Sequence, residues 1–335
     1  MMREIRSLKK QCQASNSAFN ITTNVDQATP PRTPSPELPF TQELLESLFN
    51  VDQKMIEQDL QKIIREGGRS PIKSQSRGHW LLQDAKFQNW LTAGETRGLL
   101  VDGNFDGNEK ISAMSFVCAL LIQSLKIAET AITISSFCGL HTRSNDPLSS
   151  ASGLLRSLIS QLLCIQDFNL SSITEEYEEQ LHENNLAYLI DLFQLLVEQL
   201  PENRVLFCLV DGIAFYEKNK DKAEICAVLN TLAELANDQG VGPIVKLLVT
   251  NPLRSRWAGD FFPRADRLQV PANAGDGQML SINQVMRHTN KSAVFHEHAT
   301  SGVDGSTSYE PESESSEDED DYELGNFGAS DEQAP

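Results

Sequence analysis

The sequence predicts an α/β fold in which a parallel sheet carries helices on both faces, set between a disordered N-terminal arm and a disordered acidic C-terminal tail. Three observations predict it. Residues 98–102, 204–210 and 244–250 are short, nearly continuous apolar runs, without the period-two alternation of a half-solvated strand. The stretches between them repeat apolar residues at three- and four-residue steps, the spacing of one helix face. The two ends of the chain hold too few apolar residues to offset the entropy of ordering them.

Taken in order, residues 1–40 form the arm. Residues 11–40 are rich in Ser, Thr, Asn, Gln and Pro and end in Thr29-Pro30-Pro31-Arg32-Thr33-Pro34-Ser35-Pro36, where each proline removes a donor and disfavours helix in its predecessor. A helical segment, 41–78, follows: Leu44, Leu45, Leu48, Phe49, Met55, Ile56, Leu60, Ile63 and Ile64 mark one amphipathic helix or two short ones, closed by Gly67-Gly68. The α/β domain is placed at 79–272. Trp80, Leu81, Leu82, Phe87, Trp90 and Leu91 predict a helix that leads into the strand 98–102. Beyond it the pattern predicts helix 111–125, strand 131–138, helix 148–165, two helices within 173–200, strand 204–210, helix 222–237, strand 244–250 and a last short strand 267–270. Residues 273–335 are assigned to the tail.

The chain has 335 residues, 40% of them hydrophobic, enough for one core of about 200 residues plus tails. The net charge of -19 is mostly local: residues 303–335 carry twelve acids and no Lys or Arg, leaving -7 on the other 302. Acidity confined to a tail argues against nucleic-acid or anionic-membrane binding by simple attraction. The six cysteines, Cys12, Cys118, Cys138, Cys164, Cys208 and Cys226, stand singly and mostly in apolar runs, and read as buried, reduced thiols. No apolar run approaches the length of a membrane span, and the basic start has no apolar segment behind it. The expectation is an intracellular protein, cytoplasmic with the nucleus also open to it.

Ligands of open α/β sheets bind at the carboxyl ends of the strands, which makes the turn after Asp102 the first place to look. A phosphate loop needs GxxxxGK[ST], in which the glycines curl backbone amides round the phosphates, Lys supplies charge and the hydroxyl ligates magnesium. Counted from Gly103, the second glycine is Asn108, the lysine is Glu109 and the hydroxyl position is Lys110. Counted back from Lys110, the glycines fall on Asn104 and Glu109, and Ile111 replaces the hydroxyl. Gly103 and Gly107 therefore serve either a tight turn or a residual phosphate contact through backbone amides, with Lys110 the nearest cation.

The strand 204–210 ends in Asp211-Gly212. A strand-terminal acid holds Mg²⁺ in phosphoryl-transfer sites, and an adjacent acid activates the attacking water. Asp211 fits the first role, and a plain turn accounts for it equally well. Glu217, six residues on, is a weak candidate for the second role. The next strand ends in Thr250-Asn251-Pro252-Leu253-Arg254-Ser255-Arg256, where Thr250 and an arginine, Arg254 or Arg256, are candidates to sense a γ-phosphate.

Three pieces in this order resemble the NACHT-type or nephrocystin-like signal-transduction NTPases abundant in fungal genomes, a P-loop NTPase group. They are Trp80-Leu81-Leu82…Phe87-Gln88-Asn89-Trp90-Leu91 before Leu99-Leu100-Val101-Asp102-Gly103-Asn104; Ser136-Phe137-Cys138 followed by Leu154-Leu155-Arg156-Ser157-Leu158-Ile159-Ser160-Gln161-Leu162-Leu163; and Val210-Asp211-Gly212 followed by Leu248-Val249-Thr250-Asn251-Pro252. The resemblance covers residues 79–272. It implies a nucleotide-operated switch that controls oligomerisation and signalling, with ATP or GTP and Mg²⁺ as cofactors. Carried over, Gly103 matches the phosphate loop, Asp211 the magnesium-holding acid, and Thr250 and Arg254 the sensing strand end. The GK[ST] core and the second acid are absent, so the resemblance is to a degenerate, isolated core.

Among other constellations, His296-Glu297-His298 lacks the HExxH spacing of a zinc site. Ser313, Ser315 and Ser316 lie among acids, and Thr29, Thr33 and Ser35 each precede proline, so both ends carry candidate phosphorylation sites. The function expected is a catalytically impaired nucleotide-fold protein that regulates or scaffolds through protein partners. An active ATP/GTP switch with an unorthodox loop and an acidic-tailed adaptor for basic proteins are the alternatives.

Overall fold

Valine, isoleucine and leucine make up half or more of three largely buried segments, and a fourth, Ala131–Phe137, sets two isoleucines among Ser and Thr; in the computed structural model these four pair in parallel. The structure describes residues 41–49, 51–104, 109–240, 242–274 and 277–290. The strands are β1 (Arg97–Asp102), β2 (Ala131–Phe137), β3 (Val205–Asp211), β4 (Ile244–Asn251) and β5 (Arg267–Gln269). They form one five-stranded sheet in the order β2-β3-β4-β1-β5.

The described helices, in chain order, are α1 (Gln42–Phe49), α2 (Gln53–Gly67), α3 (Ile72–Gln83), α4 (Ala85–Thr92), α5 (Ala113–Leu125), α6 (Ala151–Leu163), α7 (Glu175–His182), α8 (Leu186–Glu198), α9 (Lys222–Leu235) and α10 (Ile282–Thr289). Of the two arrangements expected for the N-terminal helical segment, the two-helix one is found: Asp52 interrupts it and caps α2 through the Lys54 amide. The helix expected around Trp80–Leu91 is likewise two, because Asp84 accepts from the amides of Lys86 and Phe87 and starts a new helix there.

The strand order decides where the helices go. The step from β1 to β2 crosses the sheet in one direction, and the steps β2 to β3, β3 to β4 and β4 to β5 run in the other. Because such crossovers are right-handed, the two directions place their connections on opposite faces. α5 accordingly packs with α2, α3 and α10 on one face, while α6, α8 and α9 pack together on the other. All but one residue of α5 is buried, since it lies between the sheet and that outer helical layer.

Trp90 anchors the lead-in: its indole N–H donates to the Arg97 carbonyl at 3.1 Å, and its ring meets Phe207 edge-on at 6.2 Å. This ties α4 to both β1 and β3. β2, the edge strand, is protected by α6. Gln161 donates to the Ser135 carbonyl at 2.8 Å and accepts from the Ser135 amide at 2.9 Å, occupying edge groups that would otherwise template another strand.

Two expectations need correction. The tail expected over 273–335 does not begin at 273: α10 packs onto α5 and α4, with Leu280 and Val285 buried. A Ser281–Gln284 capping box starts this helix, and its short apolar stripe is flanked by polar residues. Not every cysteine is buried, either: Cys118, Cys138 and Cys208 are, but Cys164, which follows the last turn of α6, is exposed, and Cys226, off the buried face of α9, is half-buried. The arm 1–40, Cys12, the acidic residues 303–335, the His296 to His298 group and the candidate phosphorylation sites lie outside the described residues. No described helix is long and apolar enough to cross a membrane.

Candidate functional site

β1 and β4 are neighbours whose following connections leave on opposite faces, so the crevice beyond their carboxyl ends is the position at which such sheets bind ligands. The register sets Asp211 beside Thr250 and Asp102 beside Asn251 at this rim. All four side chains are buried, with Thr250 and Asn251 at 0% exposure and Asp211 at 2%.

These groups bond to one another. Thr250 Oγ1 donates to Asp211 Oδ1 at 2.6 Å, and the Cys118 thiol of α5 lies 3.8 Å from the same hydroxyl. Asn251 Nδ2 donates to Asp102 Oδ1 at 3.2 Å, while Asn251 Oδ1 accepts from the Ala214 amide at 2.8 Å. The Ser255 amide adds a second hydrogen bond to Asp102 Oδ1 at 3.0 Å. Burial lifts the Asp211 carboxyl to about 6, a rise that hydrogen bonds from Thr250 and Ser115 only partly offset. Burial, and then the Asp211 charge, pushes the Cys118 thiol well up, so it is an inert neighbour.

The candidate phosphate-loop residues are placed as follows. The Gly103 amide donates to the Asn251 carbonyl at 2.8 Å, which extends the β1–β4 ladder by one rung. Asn104, the next residue, takes a left-handed backbone with φ +48°. Gly107 lies outside the described residues. Lys110 is exposed, and its ammonium donates to Thr142 Oγ1 at 2.7 Å. The Lys110 carbonyl sits against Gly139, where a Cβ would come within 2.2 Å of it, so the turn before α5 is seated on the β2–α6 loop. The N-terminal turn of α5 is closed by its own side chains: Ser112 Oγ accepts from the amides of Met114 and Ser115, and Ser115 Oγ accepts from the Ser112 amide.

Glu217 is 2% exposed, and its carboxylate accepts from the backbone amides of Arg256, Trp257 and Ala258 at 2.5, 2.8 and 2.8 Å. This ties the β3–α9 connection to the β4–β5 connection. Arg254 and Arg256 are both exposed. The structure thus brings Asp211 and Thr250 together and keeps Lys110 beside the turn, but it sets Glu217 on a different loop from the one that follows Asp102.

A magnesium triphosphate asks for free amides at a helix start, a lysine aimed into the loop, and carboxylate and hydroxyl oxygens open to the ion. The described residues fit it poorly. The α5 amides are capped by Ser112, and the Asp211 oxygen nearest to Thr250 is occupied. Among the described residues no group of three or more His, Cys, Asp or Glu side chains is arranged to hold a metal ion.

Sequence reasoning did not single out Asn251, Ser112, Ser115 or the side chain of Asp102. The Ser112…Ser115 spacing ahead of an apolar run was legible as a capping pattern. The role of Asn251 was not, because it depends on which strand lies beside β4.

The sheet order and the switch point at β1 and β4 define a P-loop NTPase-like α/β domain. The family described as nephrocystin 3, N-terminal, matches residues 76–251, more than half of the chain, and the protein belongs to it. Among solved structures, the chain is similar to one in the structure of Drosophila ORC bound to GC-rich DNA and Cdc6, at 10% identity and a TM-score of 0.30. That likeness covers 77% of this chain, which spans 37% of the other. No curated protein sequence matches.

Proposed function

We propose that this protein is a NACHT-like member of the nephrocystin-3 family that does not turn over nucleoside triphosphates and acts in the cytoplasm as a regulatory, signalling or scaffolding element through protein partners. The observation that carries the reading is the closed network at the rim of β1, β3 and β4. Asp211, Thr250, Asn251 and Asp102 satisfy one another and neighbouring amides, so a nucleotide would have to replace bonds that already exist. Glu109, exposed in the turn between β1 and α5, adds a negative charge where a phosphate requires a positive one.

A second reading has one observation in its favour. Lys110 lies on the surface at the mouth of α5, held by a hydroxyl rather than by a carboxylate, so its charge is still available to a phosphate. On that reading the chain is an ATP- or GTP-binding switch with an unorthodox loop.

Titration calorimetry of the full chain with ATP and with GTP, each with excess Mg²⁺, separates the two. Absence of binding at micromolar concentrations is the expected outcome. Micromolar binding that Lys110→Ala weakens would establish the switch. Triphosphate hydrolysis that disappears in Asp211→Ala would overturn the first reading altogether.

A further inference from the structure

His141, in the loop after β2, is 7% exposed and placed between two carboxylates from separate parts of the chain. Nε2 lies 2.9 Å from Asp59 Oδ2 on α2, and Nδ1 lies 2.9 Å from Asp146 Oδ2 in its own loop. A neutral imidazole has one N–H, so it can serve one of these oxygens and must turn a lone pair to the other. Only the imidazolium donates to both. Burial disfavours that charged form, but the hydrogen bonds to Asp59 and Asp146 outweigh burial and hold the His141 pKa above its ordinary value.

The two acids come from parts of one compact unit that are far apart along the chain. Asp146 is held within the loop, since its other oxygen accepts from the Leu148 amide at 2.9 Å. Asp59 lies ahead of the family-matched residues 76–251, on the helical segment Gln42–Gly67. That segment leans on the sheet at its β2 side: α1 packs on α6 and α2 on α5, the two helices that flank β2. It buries Leu45, Phe49, Leu60 and Ile63, and it has further polar ties: the Gln42 side chain donates to the carbonyls of Leu163 and Gln166 and accepts from the Phe168 amide. Gln53 Nε2 donates to the Ser160 carbonyl at 2.9 Å, Arg156 donates to the Phe49 carbonyl, and Lys126 pairs with Glu57 at 3.0 Å on the surface. Surface pairs of that last kind contribute little.

The remaining charged and titratable neighbours do not substitute for His141. Tyr216, which donates to the Leu148 carbonyl at 2.6 Å, and the buried Cys138 stay neutral across the accessible pH range. Lys110 faces Thr142, and Arg143 points to solvent. The loop that carries His141 also supports the Lys110 carbonyl at Gly139, so anything that moves α2 against this loop bears on the turn after β1.

We propose that protonated His141 is a latch that fastens the helical segment Gln42–Gly67 to the β2–α6 loop, so that docking of this segment is a pH-controlled property of the protein. The sign follows from the raised pKa. The latch is closed while His141 is protonated and opens as pH rises through its titration point. It does not rest on whether nucleotide binds, because all three side chains lie outside the phosphate turn.

The test uses the full-length protein. NMR titration of its six histidines, with the His141 signal assigned by its loss in His141→Gln, reports the imidazole directly. Hydrogen exchange across α2, corrected for the intrinsic pH dependence of exchange, reports docking. Expected are a His141 titration point above the ordinary value and a drop of about tenfold in α2 protection as pH passes through it. In Asp59→Asn the protection should be lower at acid pH and insensitive to pH. A His141 that titrates below its ordinary value in the wild type, or α2 protection that is flat with pH in the wild type, overturns the latch without recourse to any variant.

Discussion

Thr250 donates to Asp211 across the β3–β4 register at 2.6 Å, with both side chains all but removed from solvent. The strand-end acid that invites comparison with a magnesium ligand therefore has an internal donor, and burial holds its carboxyl near 6. The energetics of that pair, and of three other buried groups, lead to measurable consequences.

The ordinary value for this carboxyl is 3.8, against about 6 in the fold. Below the lower value the group is neutral in both states and costs nothing. As pH rises from there through 6 the ionised form is increasingly penalised in the folded state alone, and stability is lost. Asp211→Asn keeps an acceptor for Thr250 and removes the charge. It should stabilise the protein by about 2–3 kcal/mol at pH 7 and by little at pH near 3.5, as read from urea midpoints. Equal effects at the two pH values would show that burial of charge is not the cause.

Lys246 is fully buried in β4, and its ammonium has no hydrogen-bond partner among the described residues. Burial depresses its pKa from 10.5 to about 8, with Arg97 adding to the fall and Glu95 opposing it. Below 8 the charged amine is penalised in the fold, and the penalty fades as pH rises toward 10.5. Lys246→Met should therefore stabilise by about 2–3 kcal/mol at pH 7, with the gain shrinking through that upper interval. A loss of stability at pH 7 would mean that the amine has an essential role.

Glu217 is a brace in this fold, because it gathers three backbone amides. Glu217→Ala leaves those donors without an acceptor and should cost about 3 kcal/mol, visible as a lowered melting temperature. Glu217→Gln retains a carbonyl acceptor and should cost less. If either variant abolished a measurable triphosphatase activity while melting like wild type, the bracing role would give way to a catalytic one.

Gly139 touches the Lys110 carbonyl at a distance that no Cβ tolerates. Gly139→Ala should destabilise by about 1–3 kcal/mol and shift the amide resonances of residues 109–112, since backbone rather than a side-chain tip must move. A variant as stable as wild type with unchanged spectra would show that the turn before α5 is not seated on this loop.

Much of the architecture was legible in the residues. The four long strands fall within a residue or so of where continuous apolar runs placed them, and the Trp80-to-Leu91 lead-in keeps its place ahead of β1. Both follow from local rules, since apolar periodicity and capping chemistry act over a few residues. α10 was missed because its apolar stripe is short and its polar surroundings resemble the tail beyond it.

The site was legible only in fragments. Asp211, Thr250 and Lys110 could be named from motif logic, whereas the network that engages them could not. The sequence by itself determined that a parallel α/β core forms and that the turn after Asp102 carries no GK[ST], since both are matters of residue type and spacing along the chain. Only the tertiary structure decided that Thr250 faces Asp211, that Asn251 faces Asp102 and that His141 joins Asp59 to Asp146. Those pairings span 39, 149 and 82 residues of chain, and hydrogen bonds of a few ångströms between such distant residues exist only once strand order and register have brought them together.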